Sequence, residues 1–493
     1  MRTFSFFFGL HLILWIGVGY IEHNWLIPAF AALLAFVSVV ITHLLGGGRG
    51  ALKFLSVGLV LRTAVCALAW YQSKGTEFSF WTGLNEDSNR YFLNSYLPKE
   101  EAIYTTEDKG FPYINSLVTE YAAEFGVDHY LVNVQLPLIS GILLAVATYV
   151  LGRQLTNEKS ARIAGWLIAL NPIVIGWSSG LMRDTVGAAA GWIMVYEIVS
   201  LFGTNRRRLW IKIPMLIGSG SLAWSIRSMT FFFLLVVAIV ILVFNSKSLL
   251  SALVRNLPIL VTGFILAAFI LYQTNVWDRF DRSWQYGVAS RAAVGVDDTT
   301  VNAGGISAKM AEKNSLIPYL LVAPYSFVAP FPVYTIPSGF NGEPGRLVDY
   351  LFNLGGLLNL YCFILLICGL LAWWREKKYG LLIVAGPIFY GILVLLILGA
   401  GQSRWMMGFG YPTVFLSVAH VLVIIWNSPH RRAMFEQSFL ILCSVYISYW
   451  LLKSGVGAYI VAGSMGLLLV SLCIVFLGSF DRILKLEIRT NDE

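Results

Sequence analysis

The sequence predicts an all-α, polytopic membrane protein of about 12–14 transmembrane helices, with interfacial helices in two large extracytoplasmic loops. Composition is the first ground. Hydrophobic residues make up 57% of the 493-residue chain and charged residues 13%, with a mean hydropathy of +0.71, whereas soluble domains carry about 25% charged residues. The second ground is that apolar runs of roughly 17–25 residues, enough to cross about 30 Å of hydrocarbon as helix, recur along the whole chain. The third is that Lys and Arg gather in alternate connections between these runs, the pattern of short cytoplasmic loops.

Taken in order, spans 3–21 and 25–46 make an N-terminal transmembrane hairpin, residues 1–51. The first run lacks a small-residue cleavage site and is followed at once by another, so it reads as a retained helix. Residues 52–245 form a second unit with spans 52–72, 131–153, 163–179, 185–203, 213–227 and 229–244. The pairs 163–203 and 213–244 turn tightly enough to be broken hairpins. A C-terminal region, 246–493, contributes spans 257–273, 352–374, 379–400, 409–427, 437–452 and 456–478.

The basic residues sort these spans by side. Arg49/Lys53, Arg153/Lys159/Arg162, Arg206/Arg207/Arg208/Lys212, Lys247/Arg255, Arg375/Lys377/Lys378, Arg431/Arg432 and Arg482/Lys485/Arg489 fall on alternate loops, which makes both termini cytoplasmic. The net charge of +8 consists mostly of these anchors, so it speaks for topology and anionic lipid and against nucleic acid. Cys66, Cys362, Cys368, Cys443 and Cys473 all lie inside spans, where they act as small apolar residues rather than a disulfide framework.

The long polar loops, 73–130 and 274–351, then fall outside. The first carries Asn85-Glu86-Asp87-Ser88-Asn89-Arg90-Tyr91 and Gly110-Phe111-Pro112-Tyr113. After these, Ile114, Leu117, Val118, Tyr121, Ala122 and Phe125 recur at helical spacing, with Asn115, Glu120 and Glu124 on the other side, as in a helix lying in the interface. The second begins Trp277-Asp278-Arg279-Phe280-Asp281-Arg282 and ends in a Pro/aromatic segment through Pro324, Pro330 and Pro332. That proline density rules out a plain span and predicts re-entrant or interfacial pieces around a wet, protein-walled cavity.

Candidate chemistry sits where ionisable residues meet the outer ends of spans. Asp87 and Tyr91 share one face if their tract is helical, with Arg90 beside them and Glu86 turned elsewhere; Asp87 is then either a general base or a solvated helix cap. Arg183 and Asp184 occupy the turn between two apolar segments, either as a functional pair or as an interfacial clamp or cap. Arg227 and Arg404 end two further spans, placed to hold phosphate bidentately or to snorkel to headgroups. Arg62, inside a span, is expected to pair with an internal acid or a lipid phosphate, and Glu197 is the other intramembrane charge. There is no HExxH, CxxC or P-loop, and a solvated loop explains Asp297-Asp298 better than a cation site. Mg or Mn is not required by the sequence.

The acidic tract, Gly-Phe-Pro-Tyr, interfacial helix, Asn157-Glu158-Lys159-Ser160-Ala161-Arg162, Leu170-Asn171-Pro172, Trp177-Ser178-Ser179 and Met182-Arg183-Asp184 occur in an order that resembles GT-C superfamily integral membrane glycosyltransferases. The chain looks most like bacterial relatives of protein O-mannosyltransferases and lipid A aminoarabinose transferases, over roughly 52–245. Ala329-Pro330-Phe331-Pro332 and Ser403-Arg404-Trp405 with Tyr411-Pro412 are similar to segments of O-antigen polymerase-like proteins.

The resemblance implies inverting transfer of a sugar from a polyprenyl-phosphate or polyprenyl-diphosphate donor to a glycan or lipid acceptor at the outer face of the bilayer. Asp87 matches the first-loop acid, and Asp184 or Arg183 the second polar position near the carrier head group. Glu86, Arg90, Tyr91, Arg183, Arg227 and Arg404 would bind substrate. One departure stands out: two spans precede the helix that leads into the acidic loop, where the family has one before the loop. Two rivals remain, an O-antigen or exopolysaccharide polymerase or ligase relying on arginines, and a transporter or lipid flippase.

Overall fold

The computed structural model describes residues 2–73, 110–124, 130–202, 209–245, 347–386, 410–453 and 471–485. Among them every regular element is an α-helix, and seven helices are long and apolar enough to cross a membrane, or eight if a bent pair counts as one. The chain is an all-α, multi-pass membrane protein.

α1 (Arg2–Ile21), α2 (Leu26–Leu44) and α3 (Gly48–Ser73) open the chain. The α2–α3 turn uses Gly46 at φ +74° and Gly48 at φ +58°, left-handed conformations that glycine adopts without Cβ strain. α4 (Gly110–Glu124) and α5 (Tyr130–Asn133) lead into α6 (Gln135–Leu155), followed by α7 (Glu158–Leu170), α8 (Pro172–Ser178) and α9 (Arg183–Phe202). α10 (Leu209–Ile226), α11 (Ser228–Asn245), α12 (Leu347–Arg375), α13 (Tyr379–Ala385), α14 (Tyr411–Asn427) and α15 (Arg431–Lys453) follow, and a last helix, α16, covers 471–485.

Burial separates centre from edge. The span Tyr130–Leu155 has 94% of its apolar window buried and Arg183–Phe202 has 89%, against 22% for Thr3–Ile21 and 33% for Leu26–Leu44. α6 and α9 are therefore the axis of the bundle, and α1 and α2 turn most of their side chains outward. That outward surface is apolar, as lipid contact demands, with Ile13, Leu33 and Phe36 among its exposed residues.

The expected hairpin 213–244 is present. Lys212 Nζ donates to the carbonyl of Ser200, a Cβ on Gly220 would lie 3.6 Å from the Met194 sulfur, and Gly187 faces Ile226, so α10 runs antiparallel to α9. A Cβ on Gly191 would strike Leu234 Cδ1 at 2.3 Å, so α11 returns alongside α9 in the same direction.

The expected span 163–179 is instead two helices, α7 and α8, bent by 53°. Pro172 has no N–H to continue the ladder, and Asn171 before it is extended at φ −63°, ψ 119°, as proline imposes on its predecessor. The Asn171 side chain accepts from the N–H groups of Ile173 and Val174, starting α8 afresh. The C-terminal helices dock on this break: Trp177 and Phe352 rings lie 5.0 Å apart, and a Cβ on Gly355 would clash with Ile173.

Arg62 requires a correction. Among the described residues its partners are a hydroxyl and backbone carbonyls, not an acid. Fully buried, it donates to Ser178 Oγ at 2.9 Å and to the carbonyls of Ala169 at 2.9 Å, Gly58 at 3.3 Å and Gly141 at 3.5 Å. Glycines at 58 and 141 leave the room: a Cβ on either would come within 3.1 Å of its guanidinium.

The interfacial helix is α4, with its sides defined by the packing. Asn115, Ser116 and Thr119 face the protein, while Tyr113, Leu117 and Tyr121 are exposed. Asn115 thus faces inward rather than sharing an outer side with Glu120 and Glu124, which are exposed; the inner face also buries Phe111 and Ala122 and is tied to the bundle by a bond from Asn133 Nδ2 to Thr119 Oγ1. All five cysteines are free.

Candidate functional site

Asp184 lies in the first turn of α9, where the positive end of the helix dipole favours a carboxylate. Arg227 is the one-residue joint between α10 and α11; its N–H still donates to Ala223 O at 2.9 Å, and its carbonyl accepts from Phe231 N at 3.2 Å. The joint aims its side chain at α9, and Arg227 Nη1 donates to Asp184 Oδ1 in an ion pair. The side chains are 6% exposed for Asp184 and 12% for Arg227, so the pair is largely dehydrated yet open to one side.

Three helix starts meet here. α9 and α11 begin at the pair itself, and α4 begins beside it: a Cβ on Gly110 would lie 2.6 Å from Ser225 Oγ, two residues before Arg227, so only glycine permits that approach. Helix N-termini present unbonded N–H groups and partial positive charge. Arg183, half-buried in the same turn as Asp184, brings a second guanidinium to this end of the bundle.

No family model matches the chain, and no curated protein matches it. Among solved structures, the chain is similar to the archaeal oligosaccharyltransferase AglB from Archaeoglobus fulgidus, in complex with an inhibitory peptide and a dolichol-phosphate. The TM-score is 0.41 and the identity 14%, over 86% of this chain and 55% of that one. The chain thus spans about half the length of that protein.

Of the residues singled out in the sequence, Arg183, Asp184 and Arg227 fall together. Glu86, Asp87, Arg90, Tyr91 and Arg404 lie outside the described residues. Among the described residues no group of three or more His, Cys, Asp or Glu stands together as a metal site. An apolar groove lined by Val39, Val40, His43 and Leu52 lies at the other end of the bundle, by the α2–α3 turn, and shares no residue with the Asp184 site.

Two polar clusters were missed. Asn171 Nδ2 donates to Asn359 Oδ1 at 3.0 Å and Asn359 Nδ2 to Tyr411 OH at 2.8 Å, tying the helix break to α12 and α14. The other cluster joins Glu376, just past α12, to His420 at 2.6 Å and Lys378 at 2.6 Å. Burial opposes ionisation of Glu376, but the hydrogen bonds and charges of His420 and Lys378 outweigh it and hold the carboxyl at about 2, below its ordinary 4.5. The Asn171-Pro172 dipeptide was a visible sign of the first cluster. Nothing in sequence signals the second, because its acid and histidine are 44 residues apart.

Proposed function

We propose that the chain is a GT-C-type membrane glycosyltransferase that moves a sugar from a polyprenyl-phosphate or polyprenyl-diphosphate carrier to a cell-surface glycan or lipid acceptor on the extracytoplasmic face. The observation that carries this reading is the Asp184–Arg227 pair, set where three helices begin at one end of a membrane bundle. The lysines and arginines at the opposite ends of α9, α10 and α11 support assigning that end to the outer side.

In this reading Arg227 and Arg183 face the carrier phosphate, since a guanidinium stays charged when dehydrated and matches phosphate oxygens with its planar fork. Asp184 holds Arg227 in place through their ion pair. Asp87, on the first outer loop, takes the acceptor proton or orients the acceptor, and Arg404 adds a further phosphate contact. Catalysis is then mainly orientation and electrostatic stabilisation of the leaving phosphate.

One observation weighs against the transporter. A transport path needs charges facing a wet passage, whereas Arg62 is fully buried and satisfied by Ser178 and backbone carbonyls. Glu197 is buried as well, on α9 near Lys212 of α10. The test is transfer of label from a polyprenyl-linked sugar by the purified protein in liposomes. Transfer that Asp87→Asn abolishes upholds the assignment, and transfer at the parent rate in Asp87→Asn removes Asp87 from the mechanism. Loss in Arg404→Ala with Asp87→Asn tolerated would select the polymerase or ligase.

A further inference from the structure

The break between α7 and α8 removes backbone hydrogen bonds at membrane depth. In an unbroken helix the N–H of Ile173 would donate to Ala169 O; here it donates to Asn171 Oδ1 at 2.9 Å. Ala169 O would be left without its helical donor in a place where water does not replace it. Arg62 Nη1 fills that role at 2.9 Å. The same guanidinium reaches past the break to Ser178 Oγ through Nε at 2.9 Å, and Ser179 Oγ donates back to the Arg62 carbonyl at 3.3 Å. One side chain on α3 therefore grips both sides of the bend. Ser178, Ser179, Leu181 and Met182, which lead to Asp184, are all fully buried.

We propose that Arg62 is a positioning residue: its guanidinium replaces the backbone bond lost at Asn171–Pro172 and so fixes the 178–184 turn on which Asp184 meets Arg227. Several alternatives fit less well. A cation held by three carbonyls and a hydroxyl is neither a substrate ligand nor half of an ion pair. A plain anchor of α3 to α6 would need only the Gly141 contact, the longest of the set at 3.5 Å. The geometric role stands on the contacts alone, and its catalytic consequence rests on the glycosyltransferase reading.

The experiment follows labelling of a cysteine at the turn, Leu181→Cys, by a membrane-impermeant maleimide in proteoliposomes, with the background of the parent chain subtracted. With Arg62 in place, Leu181→Cys is expected to label slowly. Arg62→Gln should label at least about tenfold faster because the turn opens locally, with Arg62→Lys between the two. In the transfer assay, Arg62→Gln should lower kcat about 10- to 100-fold, the effect of misplacing a site by about an ångström. The donor KM should stay within about twofold, and kcat is referred to the folded fraction, since loss of folded protein alone would lower apparent kcat with KM unchanged.

A folded Arg62→Gln protein that labels as slowly as the parent overturns the proposal. Where Arg62→Gln fails to fold, Ser178→Ala removes the bond to Nε together with the bonds Ser178 Oγ donates to the Val174 and Ile175 carbonyls within α8; faster labelling supports the role, and unchanged labelling overturns it. If no variant transfers sugar, the parent included, the glycosyltransferase reading fails while the labelling result still decides the role of Arg62.

Discussion

Arg62, fully buried, and Arg227, mostly but not fully covered, are arginines of one helical module, and they are satisfied in opposite ways. In the middle of the bundle Arg62 meets only neutral acceptors, three carbonyls and a hydroxyl. At the end of the bundle Arg227 meets a carboxylate. The same contrast recurs elsewhere: the neutral chain Asn171–Asn359–Tyr411 sits at the helix break, and the charged cluster Glu376–His420–Lys378 sits at a helix end. Neutral acceptors spare the cost of burying a second charge in a low-dielectric interior. The opposite charges of these two clusters lie where part of their surface is still exposed.

The sharpest way to break this comparison is to remove one partner of the charged pair. Arg227→Ala leaves Asp184 buried without compensation and is expected to cost about 3–5 kcal/mol of stability, read from unfolding in mixed micelles. The double variant Asp184→Ala/Arg227→Ala should recover much of that loss relative to the sum of Asp184→Ala and Arg227→Ala. A loss in the double variant equal to the sum of the singles would show that the two residues do not act as a pair.

The Glu376 cluster gives the next largest effect. Its carboxyl is depressed on folding, so its contribution to stability is fully present above the ordinary 4.5 and is lost as pH falls toward about 2. Unfolding midpoints should therefore drop over that window. A Glu376→Gln protein should show a shallower drop, and an identical profile would remove the cluster from the account.

Among neutral contacts, Asn359→Leu removes partners of both Asn171 and Tyr411 and should cost about 1–3 kcal/mol by leaving buried polar atoms short of a bond. The smallest change is Asn157→Ala. It deletes the cap that accepts from Ser160 N at 2.8 Å and should cost about 1 kcal/mol, without altering the labelling of the 178–184 turn.

Much of the fold could be read from the chain because lipid solvation imposes length and composition directly. Spans 131–153 and 185–203 match Tyr130–Leu155 and Arg183–Phe202 to within two residues. The bend inside 163–179 was written in Asn171-Pro172 but hidden by the surrounding apolar run. Arg62 was misread because its acceptors are backbone carbonyls, which every residue carries and no pattern reveals. Asp184 and Arg227 were each visible as an ionisable residue at a span end. Their pairing across 43 positions depends on how α10 and α11 pack against α9, which glycines 187 and 191 permit but do not announce.

The central claim is that the Asp184–Arg227 end of the bundle receives a phosphate-linked sugar donor. Its most direct test is the donor KM of Arg227→Lys in proteoliposomes given a labelled polyprenyl-linked sugar, since lysine keeps the charge facing Asp184 but loses the planar fork that matches phosphate oxygens. A rise in donor KM of about tenfold or more, about 1.4 kcal/mol of lost binding, is the predicted result. A folded Arg227→Lys protein with parent kinetics, or a parent protein that transfers no sugar, would contradict the claim.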